Sequence, residues 1–207
     1  MSSEMRRVTR YSIIDEKYAF LQERGLLFLE DEIDDATSST FPLDLMFTHK
    51  NLDPNKPIRI WLKSPGGMVH YGFAIYDAIR MVSLAGRRIE ILSSGLVASM
   101  ATVILQAGSA GARLSLPNAQ FLLHQVSETI IYKREEATEQ EERAEETKRV
   151  NNIVMGIIAN RSGIDVEELK SRCRKTDYWL DPTRARELGS NGLIDQITDG
   201  REFIDGI

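Results

Sequence analysis

Twice in this chain a short apolar run passes through glycine into a helix-spaced pattern, and that repetition constrains the fold more than any other feature. Ile58-Arg59-Ile60-Trp61-Leu62 leads through Ser64-Pro65-Gly66-Gly67 to Phe73, Tyr76, Ile79 and Val82, a segment ended by Gly86. Ile89-Glu90-Ile91-Leu92 leads through Ser94-Gly95 to an apolar stretch ending near Ala107. Strand, helix, strand, helix in that order predicts an α/β layer of parallel strands joined by right-handed crossovers. Gly25-Leu26-Leu27-Phe28-Leu29 reads as an earlier strand, closed by an acidic turn over 30–35, and 18–23 as a short helix before it. Residues 37–50 look helical, with Pro42 placing the helix start close to Phe41. Residues 113–116 and 119–124 read as further strands around the Pro117-Asn118 turn.

At 207 residues the chain fits one domain with a real core and shows no repeat or linker. The net charge of −5, without a long basic block, argues against nucleic acid as a partner. One cysteine, Cys173, excludes an internal disulfide and fits a reducing compartment as a spectator thiol. Arg6, Arg7 and Arg10 lead into no apolar segment, so no signal peptide is expected. The apolar stretch 96–107, broken by Ser99, Thr102 and Gln106, is too short to span a bilayer. A cytoplasmic location follows as the expectation.

The longest helical pattern runs over 133–161. Its first part is charged nearly all round, which fits either a solvated helix or one that meets another subunit. Its second part carries Val150, Ile153, Val154, Ile157 and Ile158 on one stripe. Asp165 with Glu168 forms a capping box, and Asp181-Pro182 with Gly189 brackets another short helix.

Covalent acyl transfer needs a nucleophile, a base and a group that orients the base. Ser99, between Ala98 and Met100 at the first turn of a helix, is the candidate nucleophile, because unpaired amides there would stabilise an oxyanion. Of three histidines, His49 falls at a polar helix end, where a surface role is expected. His70 opens a helix close after Ser64-Pro65-Gly66-Gly67, which leaves a place near a site open beside the more ordinary surface role. His124 ends Phe121-Leu122-Leu123 at a strand terminus, where ligand sites of open α/β sheets gather. Asp177, beside Tyr178 and Trp179, is a carboxylate that aromatic neighbours would shield. Taken singly, each has an ordinary reading: a small-residue packing contact, a structural histidine, a solvated loop aspartate.

Taken in order, these motifs resemble the proteolytic subunit of the Clp protease (ClpP). The resemblance rests on Ser64-Pro65-Gly66-Gly67, Ile75-Tyr76-Asp77, Gly95-x-x-Ala98-Ser99-Met100, Leu116-Pro117-Asn118, His124-Gln125, Asp177-x-Trp179-Leu180 and Gly192-Leu193-Ile194-Asp195, from about Tyr11 to Ile197. It implies a crotonase-like α/β fold and a serine endopeptidase. Ser99 matches the nucleophile, His124 the base, Asp177 its orienting residue, and Gly67 and Met100 the backbone oxyanion donors. It further implies two stacked heptameric rings enclosing a chamber, fed by an AAA+ unfoldase. The helix from Lys133 would be a projecting handle and residues 1–12 an axial segment. No metal or cofactor belongs to such a subunit; ATP is used by the unfoldase.

Three departures stand out. Val126-Ser127-Glu128-Thr129 replaces the usual proline and glycines after the histidine pair. Thr176 stands where an arginine is common, and Arg59 where the unfoldase-docking groove has an aromatic, although Trp61 keeps the next one. Two other readings share the fold class: a crotonase-type acyl-CoA enzyme, and a weakly active or inactive ring subunit.

Overall fold

The computed structural model describes residues 16–126 and 137–207. The expected axial segment, and the start of the expected handle at 133–136, lie outside the described residues. A helix over 16–22 (α1) precedes β1 (Leu26–Ile33), α2 (Asp35–Asn51), β2 (Ile58–Gly67), α3 (Val69–Leu84), β3 (Ile89–Ala98) and α4 (Met100–Leu105). Then come β4 (Arg113–Ser115), β5 (Gln120–Leu123), α5 (Ala137–Ser162), α6 (Val166–Arg172), β6 (Tyr178–Leu180), α7 (Pro182–Arg186), β7 (Gln196–Ile197) and α8 (Arg201–Asp205).

Strands β1-β2-β3-β4-β7 lie side by side and parallel. β3 outruns β4, and its far half pairs with β5, also parallel; β6 then adds to β5 in the opposite direction. Alternation along each strand divides two apolar clusters between the faces of the sheet. Leu27, Leu29, Ile60, Leu62 and Ile91 join the main core with residues of α2, α3, α4 and α5. Leu26, Phe28, Trp61 and Leu92 form a second cluster capped by Phe203 of α8. Arg59, buried beside that cluster, donates to the Gly206 carbonyl at 2.6 Å and lies 3.1 Å from Glu90.

Several element ends differ from expectation. β1 continues through the acidic residues to Ile33, with a register break between Glu30 and Glu32 where Asp31 has φ 65°. α2 begins at Asp35, not near Phe41, because Asp34 caps it by accepting the Thr37 N–H at 2.8 Å and hydroxyl at 2.7 Å. Pro42 therefore lies inside the helix, where burial of Phe41 and Leu45 on the core offsets the lost backbone bond. In α5, Met155 is buried and Ile153 is not, so the packed stripe is Val150, Val154, Met155, Ile158 and Ala159. Residues 138–149 of α5 are exposed except for Arg143 and Thr147. Among the described residues no helix is long and apolar enough to cross a membrane.

Candidate active site

β3 runs on through Ser94-Gly95 to Ala98, and Ser99 is the hinge between it and α4. The serine is the N-cap, one residue before the helix, with φ 55° and ψ −124°. A non-glycine residue held there costs roughly 1–3 kcal/mol, and such strain persists only where the surroundings enforce it. Here the Ser99 N–H donates to the Leu122 carbonyl at 2.8 Å. The Ser99 carbonyl accepts the Thr102 N–H at 3.0 Å and hydroxyl at 2.6 Å. Its own hydroxyl makes no capping bond, so it is left for other chemistry.

Two glycines let the end of β2 close on this hinge. A Cβ at Gly66 would come within 2.7 Å of the Ser99 Cβ and 2.9 Å of the Met100 nitrogen. A Cβ at Gly67 would overlap the Ile33 carbonyl, and both residues have positive φ. Met100 opens α4, so its N–H has no partner within the helix. Its side chain turns away to pack on Gly72.

Strand register accounts for the rest. β3 and β5 are paired at Val97 with Phe121 and Ala98 with Leu122, so Ser99 and His124 emerge at neighbouring strand ends. β5 and β6 are paired at Leu122 with Trp179 and Leu123 with Tyr178. The ladder ends at that last pair: His124 is the next residue after β5 and Asp177 the one before β6, so both leave the same end of the strand pair. Ser99, Gly67, Met100, His124 and Gln125 line one cavity of about 100 Å³, walled by Val69, Val154 and Ile158. His124 and Asp177 share a second, more open cleft with Lys175 and Thr176.

Among the described residues neither the Ser99 hydroxyl nor the Asp177 carboxylate is hydrogen-bonded to the imidazole. His124 Nδ1 instead donates to the Gln125 carbonyl at 2.6 Å. A carbonyl only accepts, so the proton sits on Nδ1 and Nε2 is left as the basic nitrogen. Asp177 is exposed and Trp179 is 47% exposed, so the expected aromatic shield is not formed. Catalytic hydrogen bonds of this kind commonly tighten only with substrate present.

The other histidines stand apart. His70 is exposed, edge-on to Phe73. His49, at the end of α2, accepts from Arg87 Nε at 3.3 Å; burial, Arg87 and Lys50 hold its pKa below the usual histidine range. Cys173 is buried, which pushes its thiol up to about 11. Among the described residues no His, Cys, Asp and Glu side chains cluster as metal ligands. Three contributors had no legible signal: the Gln125 carbonyl, Thr102 and Asn151, whose Oδ1 accepts the Val126 N–H at 3.0 Å.

A serine on a strained strand-to-helix turn, with an imidazole and open amides around the same cavity, sets a class: hydrolases of the serine type. Relatives narrow it. The Clp protease family model matches residues 9–201. The chain is 34% identical over 174 residues to the ATP-dependent Clp protease proteolytic subunit of Porphyromonas gingivalis, covering 84% of this chain and 73% of that one. To the protein of the same name from Bacteroides fragilis it is 32% identical over 172 residues, covering 83% and 78%. Among solved structures, a ClpP1 mutant from Listeria monocytogenes matches with a TM-score of 0.76 at 25% identity, over 91% of this chain and 97% of that one. The chain belongs to the Clp protease family, and it is a serine peptidase with the crotonase-like α/β fold of ClpP.

Proposed function

We propose that the chain is an endopeptidase for unfolded polypeptides, acting through an acyl-enzyme on Ser99. The Ser99 oxygen attacks the scissile carbonyl carbon while His124 Nε2 takes the hydroxyl proton. The negative charge that forms on the carbonyl oxygen is held by the N–H groups of Gly67 and Met100. His124 returns the proton to the leaving amine as the C–N bond breaks. Water then repeats the attack on the ester, with His124 again base and then acid, and Ser99 is released. Asp177 carries the orienting charge: when substrate closes the site, its carboxylate replaces the Gln125 carbonyl at Nδ1 and stabilises the imidazolium. Every group in the sequence belongs to this chain, so the reaction as proposed needs no cofactor.

The observation that carries the reading is the strand register: three residues far apart in sequence stand at the adjoining ends of β3, β5 and β6. Family membership supports the wider proposal of stacked heptameric rings in the cytoplasm, fed by an AAA+ unfoldase. Leu43, Met46 and Phe47, exposed on α2, are an apolar surface that packing between copies would bury. Turnover of a fluorogenic peptide by purified wild type and Ser99→Ala tests the chemistry. A loss of about 10⁶ is expected, and retention of most activity by the variant overturns the assignment. Particle mass by light scattering tests the rings; a monomer at every concentration overturns them.

A further inference from the structure

Asp177 ends a loop, 173–177, that has little to hold it. Lys175 there has φ 58°, an uncommon conformation for a side-chain-bearing residue, and positions 174–177 are exposed. The loop is tied down at its two ends. Cys173 is buried at one; at the other stands Tyr178, half-buried against the main core.

The ring of Tyr178 is gripped from two helices. Arg172, at the end of α6, donates from Nη1 to the phenol oxygen at 2.7 Å, and its Cζ lies 5.6 Å from the ring centroid. Arg184 of α7 lies 5.7 Å from the same centroid. Arg172 is itself steadied by Glu168, one helical turn back, at 2.5 Å. Both cations sit within the range where a ring face attracts them. On the ladder, Tyr178 pairs with Leu123, the residue immediately before His124.

We propose that Tyr178 is a positioning residue for Asp177: held by Arg172 and Arg184, it fixes the start of β6 so that the carboxylate one residue earlier faces His124. A three-residue strand has few ladder bonds of its own to define register. A slip by one residue would turn Asp177 to the opposite face of the sheet. The phenol bond to Arg172 resists that slip, because α6 is anchored independently by Leu169 in the core and by its Asp165 cap.

This inference rests on the triad reading above, and one set of variants separates the two. Tyr178→Phe keeps the ring and removes only the hydroxyl; Arg172→Met removes the donor from the other side. Measured on the full chain with a fluorogenic peptide, each is expected to lower kcat about tenfold. That is less than the ~10²-fold loss that a 1 Å misplacement brings. KM and melting temperature are expected to stay at wild-type values, which general loosening of the fold would not allow. In a Tyr178→Phe, Asp177→Asn double variant kcat should match that of Asp177→Asn alone. If Asp177→Asn is impaired while Tyr178→Phe keeps wild-type kcat, the positioning role is overturned and the triad stands. A further tenfold loss in the double variant overturns the positioning role in the same way. If Asp177→Asn itself keeps wild-type kcat, the triad reading falls and takes this inference with it.

Discussion

Two polar regions lie at opposite ends of α4, and they are built on opposite rules. Beyond its C-terminus, Arg113 is buried with its donors all engaged. Nη1 meets Gln106 Oε1 at 2.7 Å and the Gly192 carbonyl at 3.0 Å; Nη2 meets the Asn191 carbonyl at 3.1 Å and Asp195 at 2.5 Å. Nε and the backbone N–H both reach Asp195 Oδ2. Gln106 in turn donates to the Thr102 and Leu193 carbonyls. At the N-terminal end, the Ser99 hydroxyl and the Asp177 carboxylate have no hydrogen-bond partner among the described residues. A closed network in low dielectric holds the scaffold, since leaving any member open is costly. A half-open set beside a cavity keeps its capacity for a substrate. α4 joins the two, so the rigid end locates the reactive one.

The contrast can be broken from either side, and variants at the open end should cost activity without stability. His124→Ala is expected to lower turnover by about 10⁶, with the melting temperature unchanged; peptide hydrolysis and calorimetry on one preparation check both. Asp177→Asn should lower kcat by about 10⁴. A loss below tenfold would assign the orienting role to the Gln125 carbonyl instead.

Variants at the closed end should do the reverse. Arg113→Ala leaves a buried carboxylate and several acceptors open, and should destabilise the chain by about 3–5 kcal/mol in urea unfolding. A milder break comes from pH. Burial raises the pKa of Asp195, but hydrogen bonds from the Arg113 side chain and backbone outweigh it and hold the carboxyl below the usual range. A carboxyl whose pKa is lower folded than unfolded contributes its full stability above the unfolded value. That stability is lost as pH falls through the folded value. Asp195→Asn should therefore flatten the acid side of the stability profile. The smallest effect belongs to Cys173: with its thiol at about 11 and buried, alkylation at neutral pH should be undetectable until the chain unfolds.

The alternation of strands and helices was legible because apolar periodicity is local. Strand ends were not. β2 continues through Ser64-Pro65-Gly66-Gly67, which look like a turn, because the Ser64 hydroxyl bonds the Asp31 carbonyl at 2.5 Å and the glycines let the backbone approach Ser99. β6, at three residues, is too short for any period to show. For the site, Ser99, His124 and Asp177 each favour an ordinary reading when taken alone. Their shared order, matched to a family, singled them out; their places at adjoining ends of β3, β5 and β6 come from register between distant strands, which no local pattern encodes. The Gln125 carbonyl and the Arg172–Tyr178–Arg184 grip are equally non-local.

Mapping the adduct of a fluorophosphonate on intact protein tests the central claim most directly. One modification is expected, on the peptide bearing Ser99, at a rate that collapses in His124→Ala. Modification elsewhere, or of Ser99 at the same rate without the imidazole, would contradict it.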